Sequence, residues 1–104
     1  MKNSFEIVYL QLALNDLLEI FNYIAQELKS PQAAYELLNR IDESISNLKH
    51  FPYSGKKYLT TGALKNEYRY LVVNHFLVFY TVNDNLVEIY RVIYSKRKYT
   101  DFMK

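Results

Sequence analysis

Residues 68–94 read YRYLVVNHFLVFYTVNDNLVEIYRVIY: three runs of β-formers with two short breaks between them. The runs are YRYLVV (68–73), FLVFYTV (76–82) and LVEIYRVIY (86–94). Asn83-Asp84-Asn85 is a tight-turn signal, because Asn and Asp tolerate left-handed torsions, and Asn74-His75 is a second short break. Breaks this short force neighbouring strands to run antiparallel, so the stretch predicts a three-stranded meander. The last two runs are apolar on both faces. They are therefore strands covered on both sides or strands carrying a bulge, and phase alone does not place Arg91.

Upstream, the period of the apolar residues changes. SFEIVY (4–9) alternates loosely and reads as a first strand. Leu14, Leu17, Leu18, Phe21, Ala25 and Leu28 then fall at helical spacing, with Asp16, Glu19, Asn22 and Gln26 between them, which predicts an amphipathic helix over about 11–28. Ser30-Pro31 restarts the chain: Ser can accept from the free N–H groups of a new helix, and Pro suits its first position. Ala34, Leu37, Leu38, Ile41, Ile45 and Leu48 form the second apolar stripe, and Phe51-Pro52 ends it. A link of a few residues makes the two helices an antiparallel hairpin. Glu19, Glu27, Glu36, Asp42 and Glu43 are expected on its solvated outer faces. The segment 53–67 holds both glycines and reads as a loop. The result is a single α+β domain spanning 1–104: N-terminal strand, helical hairpin, then meander.

The chain has no cysteine, which excludes disulfides and thiolate metal sites and suits a reducing cytoplasm. No apolar run reaches the roughly 18–20 residues of a membrane span, and no secretory leader is evident. Its two histidines, His50 and His75, lie in no ligand spacing, so neither a metal nor another cofactor is expected. No nucleophile elbow or phosphate-cradling glycine loop is present. The charge is uneven: residues 1–52 carry four Lys/Arg and seven Asp/Glu, residues 53–104 nine and four. An anionic or acidic partner is therefore expected on the C-terminal half. Lys56, Lys57, Arg69, Arg91, Lys96 and Lys98 are the candidate nucleic-acid or target-binding residues. The interleaved tyrosines suit base stacking. A metal-free ribonuclease would need proton carriers, for which His75 and Tyr99 are candidates, and a charge stabiliser, for which Arg97 is the candidate.

ALNDLLEIFNYIAQEL (13–28), SPQAAYELLNRIDESISNLKHFPYSGK (30–56), YRYLVVNHFLVFYTV (68–82) and VEIYRVIYSKRKY (87–99) together resemble the RelE/ParE superfamily of toxins. The resemblance covers about residues 5–99 and rests on the ordered set rather than on any one piece. It implies two helices packed on one face of a small antiparallel sheet. It also implies a growth-blocking toxin of a type II toxin–antitoxin module, neutralised by a cognate antitoxin that lays a segment along it. RelE-like members cut mRNA on the ribosome without a metal; ParE-like members inhibit DNA gyrase. Arg97 falls where the RNA-cutting branch keeps a catalytic Arg, and Lys56 could assist it. Leu77, however, stands where that branch carries another Arg, and Val73 and His75 lie near the place of its Lys. An isobutyl group cannot stabilise phosphate charge. The expected activity is therefore binding to a large target such as DNA gyrase, with a ribosome-dependent endoribonuclease as the alternative. A degenerate toxin that only binds its antitoxin is the weaker third reading.

Overall fold

Strands form where the β-rich runs predicted them, and they assemble around the last one. The computed structural model describes residues 4–58 and 67–95. In chain order its elements are β1 (Glu6–Tyr9), α1 (Gln11–Glu27), α2 (Pro31–Ser46), a 3₁₀ turn at Asn47–Lys49, β2 (Lys56–Lys57), β3 (Tyr68–Val73), β4 (Phe76–Asn83) and β5 (Leu86–Tyr94). The sheet order is β1-β5-β4-β3-β2. The meander β3–β4–β5 is antiparallel, as expected. Two strands extend it. Lys56–Lys57, expected in a loop, pair antiparallel with Tyr70 and Arg69, and β1 joins β5 in parallel, Glu6 opposite Leu86. The antiparallel sheet implied by the resemblance is thus mixed at one edge. A parallel partner is available because the helical hairpin carries the chain back across the sheet.

The turns follow their residues. Asn74 and Asp84 hold left-handed φ of 54° at the two hairpin bends. Lys29 does the same, with φ 51°, just past the end of α1. Ser30 Oγ accepts from Ala33 N at 3.3 Å and Pro31 opens α2. The two helices then run side by side, with Phe21 and Tyr35 meeting edge to face, ring centres 5.0 Å apart.

Both explanations offered for the doubly apolar strands hold. The register of β4 and β5 shifts between Phe79 and Tyr80, which face Arg91 and Ile89, so Tyr90 is an extra residue. The sheet is also covered twice. Toward the hairpin, Val78, Tyr80, Val87, Ile89 and Val92 pack with Ala13, Ile41, Ile45 and Leu48. A second cluster holds Tyr68, Leu77, Phe79 and Ile93, with Tyr58, Tyr70 and Tyr90 packed against it. Phe79 is fully buried between ring contacts from Tyr58 and Tyr70. Several tyrosines are thus core residues, each contributing about 2–3 kcal/mol of burial where fully enclosed.

Candidate functional site

Register gathers part of the cationic set at one sheet edge. Lys57 on β2 stands opposite Arg69 on β3. The Arg69 guanidinium donates to Gly55 O at 3.0 Å and to Tyr53 O at 3.3 Å, and lies 5.0 Å from the centre of the Tyr53 ring. Arg69 therefore clamps the loop that leads into β2. Lys57 reaches Glu67 at 2.9 Å with both side chains exposed, and Lys56 is exposed beside it. The loop is also held from below. Tyr80 Oη donates to Pro52 O and accepts from Gly55 N, each at 2.9 Å.

Arg91 lies two strands away and has another task. Its Nε and Nη2 donate to the two carboxylate oxygens of Asp16 at 2.7 and 2.8 Å. This hydrogen-bonded carboxylate raises the guanidinium pKa above its ordinary value against the opposing effect of burial. Asp16 was expected on the polar face of its helix. Instead it is buried and also accepts from Val92 N at 2.9 Å. β1 ends at Tyr9 and α1 turns away, so the Asp16 carboxylate takes the place of a strand partner at that point on the β5 edge. The sequence signal existed: Asp16 shares a helix face with Ala13, Leu17 and Ile20, and an acid on a core face needs a buried partner. Asp42 is exposed, as expected, and accepts from Tyr9 Oη at 2.8 Å.

His75 is exposed in the β3–β4 turn. Six residue steps of strand and turn separate it from Arg69, about 20 Å of extended chain. The structure therefore does not bring His75 to the Lys56–Lys57–Arg69 edge. Lys96, Arg97, Lys98 and Tyr99 lie outside the described residues. Among the described residues no three His, Cys, Asp or Glu side chains are grouped to hold a metal, and no helix is long and apolar enough to cross a membrane.

Sequence reading missed a cleft. The tip of the hairpin overhangs the end of the sheet and leaves a space of about 750 Å³. Ile20 and Ile24 of α1, Leu28 just past its end, Leu37 of α2, and Phe76, Val92 and Tyr94 of the sheet line it. Leu28 and Tyr94 are exposed there at 61% and 41%. Glu19, Glu36, Arg40 and His75 also line it. Its apolar residues come from four elements, α1, α2, β4 and β5, so no single periodic stretch reveals it.

The comparisons with known proteins agree with this fold. A family model described as ParE toxin of type II toxin-antitoxin system, parDE, matches residues 7–99. A chain of the chromosomal ParDE TA system from P. aeruginosa superposes with a TM-score of 0.74 at 18% identity, covering 91% of this chain and 100% of that one. A chain of the E. coli DinJ-YafQ toxin-antitoxin complex superposes with a TM-score of 0.58 at 16% identity, covering 97% and 99%. No curated protein matches the sequence.

Proposed function

The chain belongs to the ParE toxin family of type II toxin–antitoxin systems, and from that premise we propose that it arrests growth by binding a large macromolecular target such as DNA gyrase, and is silenced by a cognate antitoxin. The observation that carries the target reading is the use made of Leu77. Its side chain is 7% exposed and packs with Phe79 and Ile93, so the position where the RNA-cutting branch places a cation is part of the core here. The spacing between His75 and Arg69, and the engagement of Arg91 by Asp16, point the same way. A target-binding role for Lys56, Lys57 and Arg69 needs only a shared edge and no acid–base pair.

The test is induction of the chain in cells with two readouts. Filamentation and a DNA-damage response with intact mRNA are expected, together with loss of gyrase supercoiling in the presence of purified protein. Rapid mRNA cleavage on translating ribosomes would overturn the target and favour the endoribonuclease. In that case Arg97→Ala should slow cleavage about 10²–10³-fold, the scale for removing one preorganised charge-stabilising group.

A further inference from the structure

Two aromatic rings stand in solvent on a loop that is held rigid from beneath. Phe51 and Tyr53 are exposed at 67% and 58%, on either side of the buried Pro52. The backbone that carries them is tied down almost group by group. Phe51 N donates to Asn47 O at 3.0 Å, and Phe51 O accepts from Ser54 N at 3.1 Å. Pro52 O and Gly55 N meet the hydroxyl of the fully buried Tyr80, while Tyr53 O and Gly55 O accept from Arg69. A ring presented on a fixed backbone loses little freedom on binding, and Tyr with Arg is the usual make-up of an interface anchor. Lys56 and Lys57 follow at once, both exposed. The Lys57–Glu67 pair is solvated and worth about 0–1 kcal/mol, so an incoming carboxylate can take the place of Glu67. Three cations with one acid among them suit one or two carboxylates. They are few for a nucleic-acid strand, whose grip comes from about 6–10 neutralised phosphates. We propose that Phe51 and Tyr53 are the anchors by which the chain docks an acidic segment of its protein target. An apolar side chain of that segment packs against the two rings, and its carboxylates meet Lys56 and Lys57. The loop adjoins the Arg69 end of β3, whereas the cleft is lined by Asn74 and His75 beyond the other end, so the two surfaces are separate.

This inference rests on the target-binding reading, and its test separates the two. Full-length variants are induced in cells and, once purified, titrated into a supercoiling reaction of DNA gyrase. Phe51→Ala/Tyr53→Ala and Lys56→Glu/Lys57→Glu should each fail to arrest growth. Each should also raise the half-inhibitory concentration at least about tenfold, which corresponds to about 1.4 kcal/mol. Phe51→Tyr/Tyr53→Phe keeps both rings and should act like the unaltered chain, as should Leu18→Ala, which removes an exposed apolar side chain from α1. Circular dichroism melting checks that every variant is folded, and Lys56→Gln/Lys57→Gln replaces the reversed pair if that one is not. Arrest and inhibition that survive loss of the two rings overturn the proposal and leave gyrase as the target. Arrest that depends on the rings without any inhibition of gyrase overturns the gyrase reading and supports the loop as the docking face for another protein. Tight binding of a labelled oligo-dT or oligo-U strand that disappears in Phe51→Ala/Tyr53→Ala overturns the proposal in favour of a nucleic-acid platform. No arrest by the unaltered chain overturns both readings.

Discussion

Removing the Asp16 carboxylate strips the Val92 amide of its acceptor and the Arg91 guanidinium of its counter-charge, and both lie largely out of water. Asp16→Ala should therefore cost about 3–5 kcal/mol, measured by urea denaturation, whereas the double change Asp16→Leu/Arg91→Met should recover much of the loss. Gly55 is the second residue with no room to vary. A Cβ there would sit 2.5 Å from Tyr80 Oη and 2.8 Å from Tyr70 O. Gly55→Ala must push the loop off the Tyr80 hydroxyl, and a loss of about 1–3 kcal/mol is expected as a lower melting temperature. Burial, aided by the Asp42 carboxylate at Tyr9, keeps Tyr9 and Tyr80 protonated above the usual tyrosine range. Unfolded tyrosines ionise near pH 10, about where the stabilising difference begins to fade, and it is lost as pH rises toward the folded values. The denaturation midpoint should accordingly fall between about pH 9 and about pH 11, and fall less in Tyr9→Phe.

The elements show how far the sequence could be read. Ser30-Pro31, the Asn74 and Asp84 bends and the three meander runs were legible because each rests on local chemistry that tertiary packing does not override. The facing of α1 was not. Its apolar stripe was read from Leu14, Leu17, Leu18, Phe21, Ala25 and Leu28, yet Leu14, Leu18 and Leu28 are largely exposed while Ala13 and Asp16 are buried. The stripe is wider than the core requires, and periodicity gives a face without saying which edge of it is covered. β2 escaped notice because two residues carry no period, and β1's place beside β5 is a long-range pairing that no local signal encodes. The cap makes a simple check: Ser30→Ala should lower stability by about 1 kcal/mol, seen in the denaturation midpoint.

Among the described residues the two signs of charge gather on different surfaces. The hairpin carries most of the acids, the Lys56–Lys57–Arg69 edge lies at the far side of the sheet from β1, and the cleft opens between hairpin and sheet. Two partners can thus use different surfaces. His75→Ala should leave growth arrest intact, since a target-binding toxin needs no proton carrier at the β3–β4 turn; loss of arrest with a normal melting curve would count against that division.

The strand order has a consequence for synthesis. β5 is the last of the described strands to emerge, yet it lies between β1, the first, and β4. A nascent chain lacking residues 86–94 has nowhere to dock its opening strand and no Arg91 to meet Asp16. Helices can form early on the ribosome, but the sheet closes only after residues 86–94 have left the exit tunnel. The five-stranded sheet thus follows the helices in time, and before it closes α1 and α2 have no sheet to cover the faces that carry Ala13, Ile41 and Ile45.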